Sequence, residues 1–296
     1  MKGESKGHRL KELIQRKIVV LPGVYNAFTA LLVEAAGFEG AYASGAGLAN
    51  GVAGVPDIGI LSREEVARQV AYITDAIRIP LLVDADTGFG GPLQVMRTVR
   101  IFARLGAAGI QIEDQTDPKR CGHLSGKSLI STREMVQKIR AAVRARGDSG
   151  LLVVARTDAR GVEGFGAATA RAKAYQEAGA DIIFPEALES AEEFERFAKE
   201  VQGPLLANMT EFGKTPYLSV QAFAEMGYAI VVFPMSLFRV MAKAGEALLA
   251  DLKILGTQQP WLERMQTRAE LYRLVRYEEY EKMDKDLSRE EKDGDP

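Results

Sequence analysis

A chain of 296 residues with 47% apolar and 26% charged side chains can bury a large core, as one barrel or as two smaller domains. Its net charge of −2 lacks the basic excess that a phosphate backbone demands, which excludes nucleic acid as a partner class. One cysteine cannot staple a fold, no apolar run approaches the ~18 residues of a membrane span, and the opening Met1-Lys2-Gly3-Glu4-Ser5-Lys6 has no apolar signal region, so a cytoplasmic protein away from membranes is expected.

Short β-rich runs fall at 19–24, 40–46, 80–86, 109–115, 151–157, 181–187, 205–211 and 229–235, each followed by an amphipathic stretch. The capping boxes Ser62-Arg63-Glu64-Glu65, Ser131-Thr132-Arg133-Glu134 and Ser190-Ala191-Glu192-Glu193 open three of those stretches as helices. Ala36-Gly37-Phe38, Gly106-Ala107-Ala108-Gly109 and Ala178-Gly179-Ala180 end others, with glycine as the left-handed cap and no binding role. Eight βα units predict an α/β fold, a closed (β/α)8 TIM barrel over about 15–255. The competitor, an open doubly wound sheet, fits less well because nearly every run ends in polar residues. A further helical segment follows at about 256–283, with Trp261, Leu271, Tyr272 and Tyr280 available to pack on a neighbouring subunit or on the same barrel. The charge-dense tail 284–296 is expected to fray, so 1–296 reads as one barrel domain with C-terminal helices.

The polar run ends are Ser44, Asp84 and Asp86, Glu113, Arg156 and Asp158, Glu186, and Asn208 and Thr210, and in such a barrel these ends form the active-site face. Strand parity puts Asp84 with Asp86 and Gln111 with Glu113 on one face, while Ile110 and Ile112 point toward the helices. Asp84, Asp86 and Glu113 make an oxygen-only cluster, which suits Mg2+ or Mn2+ better than zinc; the plainer reading pairs these acids with Arg97, Arg156 or Lys119. The planar fork of Arg156 matches a carboxylate, whereas Arg239 and Arg268 carry no such signal from their sequence positions alone. Ser44-Gly45-Ala46-Gly47 resembles the start of a dinucleotide fingerprint, but Asn50 stands at the third glycine position and the reading fails. What remains is a small-residue turn whose N–H groups and Ser44 hydroxyl meet a carboxylate, or a tight turn in which glycine is merely tolerated.

The segment 115–131 has neither helical nor strand period and is long for a βα connection, which makes it a lid or a disordered insertion. Its content favours the lid: it gathers the only cysteine, Cys121, with His123 and the cations Lys119, Arg120 and Lys127. Neighbouring cations lower a thiol from its ordinary pKa of about 8.5, so Cys121 is expected to exchange protons near neutrality. His123 taken alone reads as a structural hydrogen-bonding group.

With these residues assembled, the chain resembles the isocitrate lyase and phosphoenolpyruvate mutase superfamily over nearly its whole length, and within it the 2-methylisocitrate lyase group. The resemblance rests on Ser44-Gly45-Ala46-Gly47, Val83-Asp84-Ala85-Asp86-Thr87-Gly88-Phe89-Gly90, Ile112-Glu113-Asp114-Gln115, Lys119-Arg120-Cys121-Gly122-His123, Ala155-Arg156-Thr157-Asp158, Phe184-Pro185-Glu186, Asn208-Met209-Thr210-Glu211-Phe212-Gly213, Pro234-Met235-Ser236-Leu237-Phe238-Arg239 and Met265-Gln266-Thr267-Arg268. It implies a carbon–carbon lyase of small di- or tricarboxylates, cleaving 2-methylisocitrate to pyruvate and succinate in propionate catabolism through the methylcitrate cycle. It implies a homotetramer with an exchanged C-terminal helix. It implies Mg2+, or Mn2+ in its stead, at Asp84, Asp86 and, through water, Glu113. Substrate contacts are implied at Ser44, Gly45, Ala46, Gly47, Gly122, Arg156, Glu186, Asn208, Met209, Thr210, Arg239 and Arg268, and catalytic roles at Cys121, Lys119, His123 and Glu113. Cys121 is the expected proton donor to the succinate carbanion, with substrate carboxylates raising a thiol that its cations lower. Tyr42, at the second strand's end, is the candidate base, ahead of a metal-activated carboxylate. The mutase branch lacks the Lys-Arg-Cys-Gly-His loop, and isocitrate lyase proper is considerably longer. One departure is Ala46, where a glycine is usual; its methyl narrows the pocket. The alternatives are an oxaloacetate-type hydrolase or decarboxylase of the same fold and, more remotely, a non-catalytic carboxylate-binding barrel.

Overall fold

The computed structural model describes residues 5–123 and 126–293. Among these, the strands are β1 Val19–Val24, β2 Ala41–Ala43, β3 Leu81–Asp84, β4 Gly109–Glu113, β5 Leu152–Thr157, β6 Ile182–Pro185, β7 Leu206–Asn208 and β8 Ile230–Phe233. The helices are α1 Lys6–Arg16, α2 Ala27–Ala35, α3 Gly45–Leu48, α4 Arg63–Ala76, α5 Pro92–Arg104, α6 Thr132–Arg146, α7 Phe165–Glu177, α8 Ala191–Glu200, α9 Val220–Glu225, α10 Ser236–Leu255, α11 Arg268–Leu274 and α12 Tyr277–Asp293. All strands are parallel, ordered β6-β5-β4-β3-β2-β1-β8-β7. A bridge from Ile183 to Leu205, with Ile183 N–H donating to Pro204 O at 3.1 Å, brings β6 to β7 and nearly closes the barrel.

Asp84, Glu113, Arg156 and Asn208 are strand residues, whereas Ser44, Asp86, Asp158, Glu186 and Thr210 lie just past the strand ends, for local reasons. After β2, Ser44 becomes the N-cap of α3, its Oγ accepting from Gly47 N–H at 3.2 Å, so the small-residue turn begins a helix. After β3, Asp86 turns left-handed with φ 47°. Parity holds as read: Ile110 and Ile112 pack in the layer between strands and helices, whereas Gln111 and Glu113 are buried polar residues on the other face of β4. The barrel interior is filled by Leu21, Tyr42, Leu82, Val154, Phe184, Leu206 and Val232. Its N-terminal end is stopped by α1, where Leu10 is 0% exposed and Leu13 and Ile14 pack on the same cluster. A Cβ on Gly7 would lie 2.1 Å from Gly150 O, so only glycine lets α1 seat this closely.

Ser62 and Ser131 form complete capping boxes. Ser190 caps α8 through Glu193 N–H, but the return bond is missing because Glu193 is taken by Arg160 and by the Glu189 N–H. Gly37, Gly106 and Gly179 end their helices with φ of 85°, 80° and 102°, as expected.

The chain divides into two compact units, one ending at Arg239 and one beginning at Val240. In the second, Trp261 Nε1–H donates to Asp251 Oδ2 at 2.7 Å, Arg264 lies 4.1 Å over the Trp261 ring, and Tyr272 stacks on Tyr277. Helix α12 continues through the start of the charged tail to Asp293, with strong helix formers and a Lys285–Glu281 pair at 3.1 Å across one turn, and 294–296 of that tail lie outside the described residues. Among the described residues no helix is long and apolar enough to cross a membrane.

Replacing Leu10 with Ala is expected to cost about 2–5 kcal/mol of stability, because it empties the barrel floor. Urea denaturation reads the loss, and KM should not move, since the floor lies at the end of the barrel opposite the polar strand ends.

Candidate active site

The C-terminal strand ends and the loops after them enclose a cavity of ≈290 Å3. Of the residues expected at a site, Tyr42, Ser44, Ala46, Asp84, Lys119, Cys121, Gly122, His123, Arg156, Glu186, Asn208, Thr210 and Arg239 line it together. Pro56, Asp57 and Ile58 line it too, without having been singled out, as do Asn50, Phe184, Pro234 and Met235, which were named without a site role. Four expected contacts are not in the lining. Gly45 and Gly47 spend their N–H groups on Asp84 Oδ2 at 3.3 Å and on Ser44 Oγ. Met209 is 4% exposed and packs in the layer between strands and helices, because it points the other way from Asn208 along β7. Arg268 opens α11 in the second unit.

The acids at the ends of β3 and β4 meet only in part. Asp84 and Asp86 converge over Gly45, where an added Cβ would lie 2.9 Å from Asp84 Oδ2 and 3.3 Å from Asp86 Oδ1. Among the described residues, however, no three of His, Cys, Asp and Glu come close enough together to ligate one ion. The expected convergence of three carboxylates is therefore corrected to two, and neither Asp86 nor Glu113 lines the cavity. The site still fits Mg2+, which keeps several waters and takes one or two carboxylates. Glu113 Oε1 is buried with no hydrogen-bond partner among the described residues, Asp86 Oδ1 meets the Lys119 ammonium, and the donors on offer to an ion are all oxygen. Burial, helped by the charge on Asp84, lifts the Asp86 carboxyl to about 6 against the pull of Lys119. Burial likewise holds Glu113 well above the usual carboxylate range, despite Arg156 and Lys119.

Lys119 reaches back over these acids. Its Nζ lies 2.9 Å from Asp86 Oδ1 and donates to Asp57 Oδ1. The plainer pairing of the Asp-x-Asp run with a lysine is thus present for Asp86. Asp57, from the irregular stretch before α4, had no periodic signal to mark it.

A second cluster surrounds Arg156, which stands opposite Glu113 in the β4–β5 register. Its guanidinium binds Asp158 through two bonds of 2.9 and 3.1 Å, reaches Glu186 at 2.9 Å and Glu113 at 3.4 Å, and lies 5.2 Å over the Phe184 ring. The fork expected to await a substrate carboxylate is therefore filled by Asp158. Burial works against the charge on Glu186, but Arg156 and His123 overcome it and hold that carboxyl below its usual range. Asn208 Nδ2 donates to both Glu186 oxygens at 3.3 Å. Below this cluster Asp114 joins β4 to β5 and α7, accepting from Asp158 N–H at 2.9 Å, Thr157 Oγ1 at 2.8 Å and Tyr175 OH at 2.7 Å.

The 115–131 segment lies against both clusters. Its stem is pinned by a Gln115–Leu129 bridge and by Thr116 N–H donating to Ser128 O at 2.9 Å. Lys127 Nζ donates to Asp158 Oδ1 at 2.8 Å and to Gly122 O. A Cβ on Gly122 would strike Arg156 Nη2 at 2.3 Å, so the loop backbone presses on the guanidinium. His123 Nδ1 accepts from Lys214 N–H at 3.0 Å, which puts its proton on Nε2, 2.9 Å from Glu186 Oε1. His123 thereby ties the segment to the loop after β7. The expected residues 124 and 125 lie outside the described set.

Cys121 departs from expectation. Burial pushes its thiol up, and Glu186 and Asp57 add to the rise, against the His123 backbone hydrogen bond and Arg156. The nearby cations do not lower it because Lys119 is engaged by Asp57 and Asp86, and Lys127 by Asp158. A neutral thiol faces the cavity.

Tyr42 also departs. Its OH donates to Gln111 Oε1 at 2.5 Å, and burial, with Asp84 beside it, holds the phenol well above its ordinary value. The phenol is thus placed as a donor to Gln111.

Residues 10–253 match the family model described as phosphoenolpyruvate phosphomutase. The chain is 56% identical to a 2-methylisocitrate lyase of Aeropyrum pernix over 97% of its length and 92% of that protein's. A 2-methylisocitrate lyase of Bacillus subtilis is 46% identical over 97% of this chain and 94% of its own. Among solved structures, a 2,3-dimethylmalate lyase of the PEP mutase/isocitrate lyase superfamily superposes with a TM-score of 0.91 at 36% identity, covering 96% of each chain. A match of this extent, on a barrel whose mouth gathers these acids and this thiol, shows that the chain belongs to the phosphoenolpyruvate mutase and isocitrate lyase superfamily.

Proposed function

We propose that this protein is a 2-methylisocitrate lyase, cleaving 2-methylisocitrate to pyruvate and succinate in propionate catabolism. One observation supports it above the others: Asp84 and the neutral thiol of Cys121 line the same cavity. The similarity to 2-methylisocitrate lyases over nearly the whole chain supports the substrate.

Asp84 and Asp86, with Glu113 acting through water, are the residues that would hold Mg2+ or Mn2+, which supplies Lewis acidity toward the substrate's hydroxyl and adjacent carboxylate. With the Tyr42 phenol engaged by Gln111, we assign removal of the hydroxyl proton to a carboxylate lining the cavity, Asp57 or Asp84. Breaking the carbon–carbon bond leaves a succinate carbanion beside its carboxylates. Cys121 protonates it, and the raised pKa of the thiol suits a donor that must be neutral before it acts. Arg156, Glu186, His123 and Asn208 hold the loop backbone at Gly122 and so set where the sulfur stands. We assign substrate carboxylates to Ser44, Thr210 and Arg239. Arg239 keeps exposed surface beside Glu211, at 3.3 Å. Closure of 115–131 over bound substrate is part of the same proposal, as are a cytoplasmic location, a single domain over 1–296 and a homotetramer with exchanged C-terminal helices. The assembly is supported by Leu249, Ile254 and Tyr280, which are 66%, 80% and 66% exposed.

A pyruvate-release assay comparing 2-methylisocitrate, isocitrate, 2,3-dimethylmalate and oxaloacetate tests the reading. Pyruvate and succinate should form fastest from 2-methylisocitrate, and preferred turnover of oxaloacetate would replace the lyase with a hydrolase or decarboxylase. EDTA should abolish turnover, and Mg2+ or Mn2+ should restore it. Cys121→Ser is expected to lower kcat by about 10²- to 10⁴-fold with substrate binding retained; near-normal kcat excludes the donor role. Because the acting form is the neutral thiol, kcat should persist through the pH at which an ordinary thiol ionises, about 8.5, and fall only above it. An alkaline limb centred at or below pH 7 counts against this assignment.

A further inference from the structure

We propose that Gln111 is a positioning residue of this enzyme: its side-chain amide aims the Asp84 carboxylate at the bound dication and fixes Tyr42 as a hydrogen-bond donor. The proposal rests on the reading of Asp84 as a metal ligand given above.

Gln111 is 0% exposed, and it stands directly opposite Asp84 in the β3–β4 register. Its neighbours Ile110 and Ile112 face the helices, so the amide is a polar group in an otherwise apolar barrel interior of Leu21, Leu82, Val154 and Val232. A buried amide there costs stability unless its polar atoms find partners. Both its nitrogen and its oxygen do. Nε2 donates to Asp84 Oδ1 at 3.1 Å, and Oε1 accepts from Tyr42 OH at 2.5 Å.

The direction of these bonds follows from chemistry. Turning the amide over would set its oxygen against a carboxylate oxygen that already accepts from Asp86 N–H at 3.1 Å. The NH2 group must therefore face Asp84, and the phenol is left only an acceptor to meet. Tyr42 OH thus donates to Gln111 Oε1.

The consequence falls on the two oxygens of Asp84. Oδ1 receives two donors, from Gln111 and from Asp86 N–H. Oδ2 receives only the longer bond from Gly45 N–H, 3.3 Å, on the side where Asp86 Oδ1 approaches. Filling one oxygen and sparing the other presents a single coordination direction, which is how groups behind a metal ligand set its orientation. Tyr42 contributes by holding the far end of the amide.

The test is calorimetric titration with MgCl2 alone, without substrate, on the full-length protein and on Gln111→Met and Tyr42→Phe. Wild type should bind Mg2+. Gln111→Met should raise the Kd by ~10- to 100-fold, the range typical of lost partners behind a ligand. Tyr42→Phe should raise it less, since the amide keeps its bond to Asp84 but loses the one that holds its far end. At saturating Mg2+, Gln111→Met should recover most of the kcat it loses at limiting Mg2+, and its metal-free Tm should stay near wild type. Wild-type Mg2+ binding with an unchanged Kd in both variants overturns the proposal, as does a loss of kcat equal at every Mg2+ concentration. Tyr42→Phe still decides the matter if Gln111→Met does not fold. Failure of wild type itself to bind Mg2+ overturns the metal reading, and this proposal with it.

Discussion

The guanidinium of Arg156 is the interaction on which the mouth of this barrel depends. It is one buried cation meeting carboxylates that originate on three neighbouring strands, Glu113 on β4, Asp158 after β5 and Glu186 after β6. A buried charge is tolerable only when paired and hydrogen-bonded, and so are the acids around it. Removing the guanidinium would leave Asp158 with Lys127 alone and Glu186 with His123, while Glu113 would lose its nearest positive group. The strand ends are thus held in register by charge as well as by their backbone ladders. The same cluster is the anvil against which Gly122 rests, so the loop bearing Cys121 inherits its position from β5.

Much of this was legible from residue pattern. The period of two along Ile110, Gln111, Ile112 and Glu113 separates the helix-facing side of β4 from the inner side correctly. The strand boundaries ran too long at their C-terminal ends, because polar residues there serve caps and turns: Ser44 caps a helix and Asp86 takes a left-handed φ. Met209 sits between the cavity residues Asn208 and Thr210 in sequence, yet its side chain packs in the layer outside the barrel interior. Charge density alone does not mark the start of the tail as helical, yet its glutamates and lysines are good helix formers and α12 runs through them.

The chemistry of single groups was less legible, for a physical reason. A pKa is set by neighbours in space, and the partners of the loop's cations are remote in the chain. Lys119 meets Asp57, 62 residues away, and Lys127 meets Asp158, 31 away. Counting cations beside Cys121 therefore predicted a lowered thiol where burial and unbalanced carboxylates produce a raised one. The hydrogen bond of Tyr42 is hidden from sequence in the same way, since its partner Gln111 lies 69 residues on and two strands across.

The apolar floor made by α1 carries a kinetic implication. Leu10, Leu13 and Ile14 stop the lower end, which leaves the mouth as the ligand's way in among the described residues. A ligand that enters whole and leaves in two pieces must then discharge both through one portal, and the deeper fragment waits for the shallower. The expected signature is ordered uni-bi kinetics, in which only the fragment departing last competes with fresh substrate for the free enzyme.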